Sequence, residues 1–579
     1  MISRSRVRPG EIGWPSEGDW ARLKRQVGDR LIELESPLTP CRTAPAGEAC
    51  ADVLERLDDP YYLGAHPALT QASGYLDAWT NSASVYAVAA ATTQDVVAAV
   101  NFARLHNLRL VVKGGGHSYQ GTSNSADSLL VWTRPMDNIE LHDAFVPQGG
   151  AGRHEPQPAV SVGAGAIWMS VYNAVTTRVG RYVQGGGCTT VGVAGIIQSG
   201  GFGSFSKAYG LAAAGLLEAE VVIADGAVRI ANPYREPDLF WALKGGGGGS
   251  FGIVTRLTLR TRELPDTFGA VTGTIRAASD AAFRKLIAWV VGFYRERLFN
   301  PHWGEQIRFA PDNTVRIGMV FQGLSREQAA NAWRPLLEWV TSAQRDLAWE
   351  TPMSIIDLPA RHFWDAAFLT RTAPERIALD DRIDARAGEF FWAGNREEAG
   401  QFLRGYRSAW LPESMLEDDR QAALADALFA GSRYWGISLH FNKGLAGATA
   451  AEREAASNCA TNPVVVTSFA LVIIAAIGPP AFPGTPGVEP DLTAANRNAA
   501  SVNRAMDVIS TIVPTPGSYV SESDFFERDW REAFWGSNYP RLAAVKRAYD
   551  PDGLFFTHRS VGSDEWSDDG FTRRETDGS

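Results

Sequence analysis

Three clusters of glycine residues constrain the fold of this 579-residue chain more than any other feature. The first, Gly114–Gly116, follows the strand-like run LRLVV and is closed by His117. The second extends from Gly185 to Gly203, and the third is Gly245–Gly249. Because glycine has no β-carbon, its backbone N–H groups can approach an anion closely and adopt positive φ. Three such loops indicate a large ligand with phosphate groups, and a dinucleotide fits.

Two simpler interpretations of the glycine clusters compete with this one. The string GGFGSF partly matches a GxGxxG fingerprint, but a Rossmann motif needs a strand, the glycines, a helix and an acidic residue about 20 positions on. Here the glycines are scattered from Gly114 to Gly249 and lie mostly between predicted strands. The clusters could also be ordinary turns of a glycine-rich fold.

His117 and Cys188 are informative as a pair. A lone histidine is usually a polar loop or core residue, and no HxH or HExxH partner lies nearby, so no metal site is predicted. A lone cysteine is likewise most often structural. Both residues, however, lie within glycine loops, which makes a shared role worth testing.

The composition is that of a globular protein and argues against some functions. Hydrophobic residues make up 45% of the chain and charged residues 21%. The net charge of -10 argues against nucleic-acid binding. No stretch approaches the ~20 apolar residues of a membrane-spanning helix, and the run SFALVIIAAIG is interpreted as a buried helix or strand. No apolar core follows the charged N-terminal residues, so a cytoplasmic location is predicted.

The four cysteines do not suggest a zinc site, because none of them has CxxC spacing. Cys41 and Cys50 are close enough in sequence to pair. In a cytoplasmic protein, however, free thiols are the expected state.

Hydrophobic patterning predicts two regions that differ in the order and length of their helices and strands. Up to about Leu264, strands alternate with helices; the helix TTQDVVAAVNFARLHN is predicted to begin after Thr92 or Thr93 as N-cap. The Asp225-Gly226 pair predicts a β-hairpin. Beyond Leu264, long helical segments alternate with strands such as TVRIGMVFQG, which indicates a second α+β domain up to about Pro514.

Five sequence pieces resemble one known family. They are KGGGHSYQGTS (Lys113–Ser123), GGCTTVGVAG (Gly186–Gly195), SGGFGSFSKAYGLAA (Ser199–Ala213), KGGGGGSFGIVTRLTL (Lys244–Leu259) and NYPRLAAVKRAYDPDGLF (Asn538–Phe555). In this order they resemble the berberine bridge enzyme-like flavin oxidases of the vanillyl-alcohol oxidase and p-cresol methylhydroxylase (PCMH) superfamily.

The resemblance implies an α+β fold. Residues 1–264 would form a PCMH-type FAD-binding domain of two α/β subdomains, with its core at about 80–264. Residues 265–514 would form a substrate domain, an antiparallel sheet backed by helices. Residues 515–579 would be a berberine-bridge-type segment that returns to the FAD domain.

The resemblance also implies FAD as cofactor and assigns residues to it. The histidine of GGHS bonds the flavin 8α-methyl carbon in this family, and the cysteine of CxTVG bonds C6 in bicovalent members, so FAD is predicted to be held by both His117 and Cys188. The other residues that the resemblance places near FAD are Gly114, Gly115, Gly116, Ser118, Ser123, Val191, Gly192, Gly195, Ser199, Gly200, Gly203, Tyr209, Gly210, Ile253 and Asn538. Among these, valine at 191 goes with oxygen reactivity in the family.

The sequence departs from the family pattern in its second glycine region. Ala194 replaces a glycine common in VGVGG, and Ile196-Ile197-Gln198 is not the usual continuation. These departures weaken any inference about the substrate.

The proton acceptor for substrate oxidation is expected on the substrate domain. In the segment YWGISLHFN, strand alternation puts Ser438, His440 and Asn442 on one face, opposite three apolar residues. We predict His440 as the catalytic base if that face meets the flavin; a hydrogen-bonded buried histidine is the simpler alternative. Tyr119, which the resemblance places near the reactive ring, is the second candidate.

The predicted function is that of an FAD-linked oxidase. It would take a hydride from an alcohol, sugar or phenolic substrate and pass the electrons to oxygen, giving hydrogen peroxide. The alternatives are a dehydrogenase with a different acceptor and a non-catalytic flavin-binding module. Covalent links to His117 and Cys188 argue against the latter, because binding alone does not need them.

Overall fold

The computed structural model describes residues 5–382 and 385–574. Its strands are β1 Leu31–Glu33, β2 Ala72–Tyr75, β3 Trp79–Thr80, β4 Tyr86–Ala89, β5 Arg109–Lys113, β6 Ser128–Trp132, β7 Ile139–Phe145, β8 Gln157–Gly163, β9 Arg181–Tyr182, β10 Leu216–Val222, β11 Val228–Ala231, β12 Ile253–Arg260, β13 Arg262–Glu263, β14 Thr267–Ala277, β15 Trp303–Phe309, β16 Thr314–Gln322, β17 Leu347–Pro359, β18 Ile377–Leu379, β19 Phe390–Trp392, β20 Gln401–Pro412, β21 Ile437–His440 and β22 Ser468–Pro480.

The α-helices connect these strands and cover the sheets. They are α1 Glu17–Val27, α2 Thr39–Thr43, α3 Glu48–Leu54, α4 Pro60–Ala65, α5 Thr93–Leu105, α6 Trp168–Tyr172, α7 Val193–Gln198, α8 Ser206–Tyr209, α9 Pro237–Ala242, α10 Asp280–Phe293, α11 Arg326–Ser342, α12 Ala366–Thr372, α13 Gln421–Ser432, α14 Ala450–Ser457, α15 Leu492–Ser510, α16 Trp530–Trp535 and α17 Tyr539–Tyr549.

In the described residues, the first region contains two main sheets, besides the short two-stranded pair of β9 and β13. The smaller has the order β1-β4-β6-β5, in which β4, β6 and β5 run parallel, and the larger has the antiparallel order β11-β10-β12-β8-β7. Helix α5 begins where predicted, because Thr92 and Asp95 form a capping box. The predicted hairpin is confirmed: β10 pairs with β11, and Gly226 in its turn has a φ of 82°.

A nine-stranded sheet dominates the later region, in the order β17-β14-β16-β15-β21-β22-β20-β2-β3. Helices α10, α13 and α15 pack against it. The sequences of α10 and α15 are amphipathic, whereas α13 is apolar over most of its surface. The run SFALVIIAAIG is its strand β22, buried among these helices. The mixed α+β fold is therefore confirmed. Strands β2 and β3 come from the N-terminal region, and β2 pairs in parallel with β20.

The C-terminal segment returns to the first region. Helix α17 packs against α9, and Phe555 forms a parallel bridge with Leu110 at the edge of the smaller sheet. Lys546 holds this return in place, because its ammonium group donates to the carbonyls of Ser250 and Phe555 as well as to Asp550. Strand β5 and the glycine loop that follows it are thus next to the C-terminal segment. The predicted domain boundaries at 264 and 514 stay predictions.

Cys41 and Cys50 form a disulfide bond that links α2 to α3. The expectation of free thiols at these positions is therefore wrong, since the turn between two short helices brings the two side chains together. Disulfides are typical of oxidising compartments. The predicted cytoplasmic location is untested. Within the described residues, no helix has both the length and the apolarity that crossing a membrane requires.

Candidate active site

A cavity of about 710 Å³ lies where the first region, the nine-stranded sheet and the C-terminal segment meet. All three glycine clusters contribute to its wall, through Gly114–Gly116, Gly186–Gly187 and Gly247–Gly249. Ligand pockets span about 300–1,000 Å³, so this one has room for a large ligand. The glycine clusters therefore serve one shared site.

The first two glycine loops touch each other backbone to backbone. A β-carbon at Gly115 would lie 2.6 Å from the backbone nitrogen of Gly192, and one at Gly192 would lie 2.8 Å from that of Gly115. Gly116 has a φ of 77°, which only glycine adopts easily. The loops therefore need glycine in order to form this wall of the cavity.

His117 and Cys188 lie on the same wall and share one neighbour. The Thr190 hydroxyl is 3.1 Å from His117 Nε2 and 3.7 Å from Cys188 Sγ. Burial lowers the pKa of His117 to about 4, so the imidazole is neutral near pH 7. Burial, with the negative charge of Glu398, raises the pKa of the Cys188 thiol to about 12. The structure thus brings together the two residues that the sequence analysis paired.

His440 is placed as the strand alternation predicted. It ends β21 and lines the cavity, whereas Ile437, Leu439 and Phe441 are buried in the core of the sheet. Its ring has no hydrogen-bond partner among the described residues. Burial, with the positive charge of Lys443, lowers the pKa of His440 well below its usual 6.5. The imidazole is therefore neutral near pH 7, and one of its two ring nitrogens carries no proton.

Tyr119 also lines the cavity, beside Tyr406, whose ring centroid is 5.3 Å away. Burial and the charges of Glu398 and Glu522 raise the pKa of Tyr119 well above 10. The phenol is therefore protonated near pH 7 and can donate a hydrogen bond.

The sequence analysis missed a group of charged residues in the cavity. Glu305, Glu398, Glu522 and Lys443 all line it, and Lys443 pairs with Glu522. They come from β15, from the segment after β19, from the loop after α15 and from the loop after β21. Because these segments are far apart in sequence, no spacing pattern could have grouped them.

Glu305 reaches the cavity through an unusual backbone conformation. It lies within β15 yet has a φ of 65°, a value that costs a non-glycine residue about 1–3 kcal/mol. Successive residues of a regular strand point to opposite faces. Here both Glu305 and Gln306 line the cavity. The strained residue therefore adds a carboxyl group to the wall.

Comparisons with known proteins agree with this geometry. Residues 85–232 match the FAD binding domain family, and residues 518–562 match the berberine and berberine-like family. These matches support placing the chain in the vanillyl-alcohol oxidase superfamily, beside its berberine bridge enzyme-like group. It is an FAD-linked oxidoreductase.

Relatives of this berberine bridge enzyme-like chain match it along nearly its whole length. It is 28% identical to the VAO-type flavoprotein oxidase VAO615 of Thermothelomyces thermophilus, covering 97% of this chain and 94% of the relative. It is also 28% identical to the FAD-linked oxidoreductase malF of Malbranchea aurantiaca, covering 99% and 94%.

Solved structures of the group share its fold. The VAO-type flavoprotein MtVAO713 of Myceliophthora thermophila superposes with a TM-score of 0.81 at 22% identity, covering 99% of this chain and all of that one. A carbohydrate oxidase from Microdochium nivale superposes with a TM-score of 0.61 at 19% identity, covering 91% of this chain and 100% of the other.

The cavity of this berberine bridge enzyme-like protein fits FAD. The bare backbone of Gly114–Gly116 and of Gly248–Gly249 could offer N–H groups to a diphosphate, whereas the Gly247 N–H already donates to the Gln198 carbonyl at 2.8 Å. A β-carbon on Gly115 or Gly192 would collide with the other loop and disrupt this wall. Most residues predicted to hold FAD line the cavity; these are Gly114, Gly115, Gly116, His117, Ser118, Ser123, Cys188, Val191, Gly192, Gly195, Ser199 and Ile253.

Five residues predicted near FAD do not line this cavity in the described part of the chain: Gly200, Gly203, Tyr209, Gly210 and Asn538. They pack instead. A β-carbon on Gly203 would lie 2.1 Å from the Gly185 carbonyl oxygen, and Tyr209 contacts the Tyr182 ring. Asn538 donates to the Thr461 carbonyl at 2.7 Å. The motif from Ser199 to Ala213 is therefore divided: Ser199, Phe202 and Ser204 line the cavity, whereas Gly203, Tyr209 and Gly210 shape the turns around α8.

Proposed function

We propose that this FAD-linked oxidoreductase is an oxidase whose FAD is attached covalently to both His117 and Cys188. The observation that carries the proposal is the approach of both side chains to the Thr190 hydroxyl, on one wall of the cavity. When bound, FAD supplies the acceptor for a hydride. Two attachment points would fix its position while leaving the cavity open on the substrate side.

His440 is the proposed proton acceptor. A base must be unprotonated and must face the substrate. Two observations support His440 in this role: its lowered pKa keeps it neutral, and it lines the cavity without a hydrogen-bond partner among the described residues. The protonated Tyr119 phenol is better suited to donating a hydrogen bond to the substrate oxygen. We propose an alcohol, sugar or phenolic compound as the general substrate type.

Molecular oxygen is the proposed electron acceptor, with hydrogen peroxide as the product. Val191, which the family resemblance associates with oxygen reactivity, lines the cavity three residues after Cys188. The test is to reduce the holoenzyme chemically without oxygen and then admit air. Recovery of the oxidised flavin spectrum within seconds, with peroxide formed in equal amount, is expected. A flavin that stays reduced for minutes would instead favour a dehydrogenase.

Covalent attachment is tested by denaturing electrophoresis. The protein band should keep its flavin fluorescence after acid denaturation. Release of free FAD into the acid supernatant would contradict covalent binding. That result would not contradict the dependence of the protein on FAD as a cofactor.

A further inference from the structure

We propose that Lys207, a buried lysine that does not line the cavity, is a positioning residue for His440. Its ammonium group fixes the loop that follows β21, residues 441–446, and through this loop it sets the place of the His440 imidazole on the cavity wall. The inference rests on the proposed function, because it takes His440 as the proton acceptor. It adds to the substrate side a residue from the second glycine region.

The side chain of Lys207 crosses from α8 to the nine-stranded sheet. It is fully buried, and its ammonium group donates to three backbone carbonyls, those of Gly444 at 3.0 Å, Ala446 at 2.8 Å and Phe469 at 3.0 Å. An ammonium group has three N–H donors, so all of them are used. Two of the acceptors lie in the loop after β21, and the third lies in β22, which pairs with β21. One nitrogen atom thus ties α8 to the end of the strand that carries His440.

The charge of Lys207 has no paired carboxylate in the described part of the chain. Burial lowers its pKa to about 7, and the charge of Glu413 only opposes this shift from a distance, since Glu413 pairs with Arg453. A buried charge is unfavourable unless hydrogen bonds compensate for it. A methionine would fill the same space without that cost. What the lysine adds to packing is therefore its three bonds to the backbone.

The loop after β21 has a constrained backbone where Lys207 holds it. Gly444 has a φ of 99°, and a β-carbon there would lie 2.5 Å from the Ser468 carbonyl oxygen. The amide of Ala446 donates to that same carbonyl at 2.9 Å. The loop is therefore fixed from two sides, by β22 through its amide and by Lys207 through its carbonyls.

The near end of the loop carries a group that acts on His440. The Lys443 amide donates to the His440 carbonyl at 3.1 Å, and the next residue is the Gly444 whose carbonyl Lys207 holds. After burial, the positive charge of Lys443 is the second cause of the lowered pKa of His440. A displaced loop would move this charge and let water reach the imidazole, and both changes raise the pKa of a histidine.

Helix α8 is a firm support for the clamp. The Gln184 amide nitrogen donates to the Ser206 hydroxyl at 3.0 Å and to the Gly210 carbonyl at 2.8 Å, so that it holds both ends of the helix. Just before α8, the backbone touches the sheet, because a β-carbon on Gly304 would lie 1.7 Å from the Ser204 carbonyl oxygen. The helix that carries the ammonium group is thus fixed to both regions of the molecule.

The experiment measures the environment of His440 without a substrate. Diethyl pyrocarbonate acylates unprotonated imidazole nitrogens, and peptide mass spectrometry gives the rate at each histidine of the holoenzyme. His142, on β7 of the other sheet, is the internal reference. In the wild-type protein, the rate at His440 should stay level as the pH falls through 6.5, because its pKa lies well below that value.

Lys207→Met should change this profile. We expect the rate at His440 near neutral pH, relative to His142, to rise at least about threefold, and the midpoint of its pH profile to move up toward 6.5. Lys207→Gln keeps two N–H donors without the charge and should give a smaller change. It also carries the test if the methionine variant does not fold. Profiles equal to that of the wild type in both variants would overturn the proposal.

Lys113→Met is the matched control. Lys113 is also buried and also donates to three backbone carbonyls, but these belong to His66, Pro67 and Leu69, away from β21. The wild-type profile at His440 is expected, with the flavin-to-protein ratio measured alongside. A faster rate at His440 in this variant, at full flavin content, would show that the loss of any buried lysine has the effect and would overturn the assignment to Lys207.

Hydrogen exchange of the wild-type holoenzyme needs no variant. The peptide that covers residues 441–446 should exchange as slowly as β22, and exchange as fast as that of an exposed loop would contradict the clamp. Neither measurement depends on turnover. If His440→Ala leaves flavin reduction unchanged, the proton-acceptor role is lost while the clamp stands. An unchanged modification profile in the Lys207 variants would sink only the role of Lys207.

Discussion

At the scale of single residues, burial and neighbouring charge set the protonation state of each group in the cavity. His117 and His440 are held neutral, and the Tyr119 phenol and Cys188 thiol are held protonated. Thr190 connects the two proposed attachment residues. Each of these statements leads to a measurable consequence.

Thr190→Val should reduce the fraction of covalently bound FAD. The substitution keeps the shape of the side chain but removes the hydroxyl next to His117 and Cys188, and the lost hydrogen bond is worth about 0.5–1.5 kcal/mol. In-gel flavin fluorescence per protein measures the effect. Thr189→Val is the control, because the Thr189 hydroxyl donates to the Phe390 carbonyl instead. Equal attachment in both variants would contradict the positioning role of Thr190.

His440→Ala should slow anaerobic reduction of the flavin by substrate about 100- to 10,000-fold, the usual contribution of a general base. Ser438→Ala is the control, since Ser438 shares the strand face but lies outside the cavity wall. Stopped-flow absorbance gives both rates. A wild-type rate in the His440 variant would remove His440 as the base.

The pH dependence follows from the direction of the His440 pKa shift. The base works when unprotonated, and its pKa lies well below 6.5. The rate of flavin reduction should therefore persist as the pH falls through 6.5 and drop only in more acidic buffer. A rate that halves near pH 6.5 would show that His440 is not desolvated as described.

At the scale of elements, local sequence patterns predicted individual helices, turns and strands. They did not predict which strands pair when the strands are far apart in sequence. Three local features could be predicted because each depends on residues that are neighbours in sequence. They are the Thr92 cap, the Asp225-Gly226 turn and the alternation of polar and apolar residues around His440. The pairing of β2 with β20 could not be predicted, since its partners are separated by most of the chain. No local sequence pattern predicts the positive φ at Glu305 either. This φ breaks the alternation of side chains along β15, so that both Glu305 and Gln306 line the cavity.

The strain at Glu305 predicts an order of stability. Glu305→Gly should be more stable than Glu305→Ala by about 1 kcal/mol, because glycine tolerates the φ of 65° and alanine does not. Denaturant unfolding of both variants measures the difference in free energy of unfolding. An alanine variant that equals or exceeds the glycine variant would show that the backbone there is relaxed.

The contact between the glycine loops predicts a loss of cofactor. Gly115→Ala puts a β-carbon 2.6 Å from the Gly192 nitrogen, so the loops must separate. We expect a lower ratio of flavin to protein in the purified variant, measured by absorbance. Gly215→Ala is the control, because a β-carbon there meets nothing within 4 Å. Full flavin content in the Gly115 variant would contradict the described wall.

At the scale of the whole molecule, the candidate active site lies where three parts of the chain meet. The first region supplies the glycine loops and both proposed attachment residues. The nine-stranded sheet supplies His440 and Glu305, and the C-terminal part supplies Glu522. Family motifs predicted the proposed FAD side of the cavity because each motif is contiguous in sequence. The substrate side is assembled from separated segments, so its carboxyl groups became visible only in the folded chain.

The most direct test of the central claim is peptide mass spectrometry of the purified, acid-denatured protein. The account predicts that the peptides containing His117 and Cys188 are joined through one FAD. It also predicts that Cys188→Ser leaves FAD on the His117 peptide alone. Unmodified His117 and Cys188 peptides, with FAD free in solution, would contradict the account.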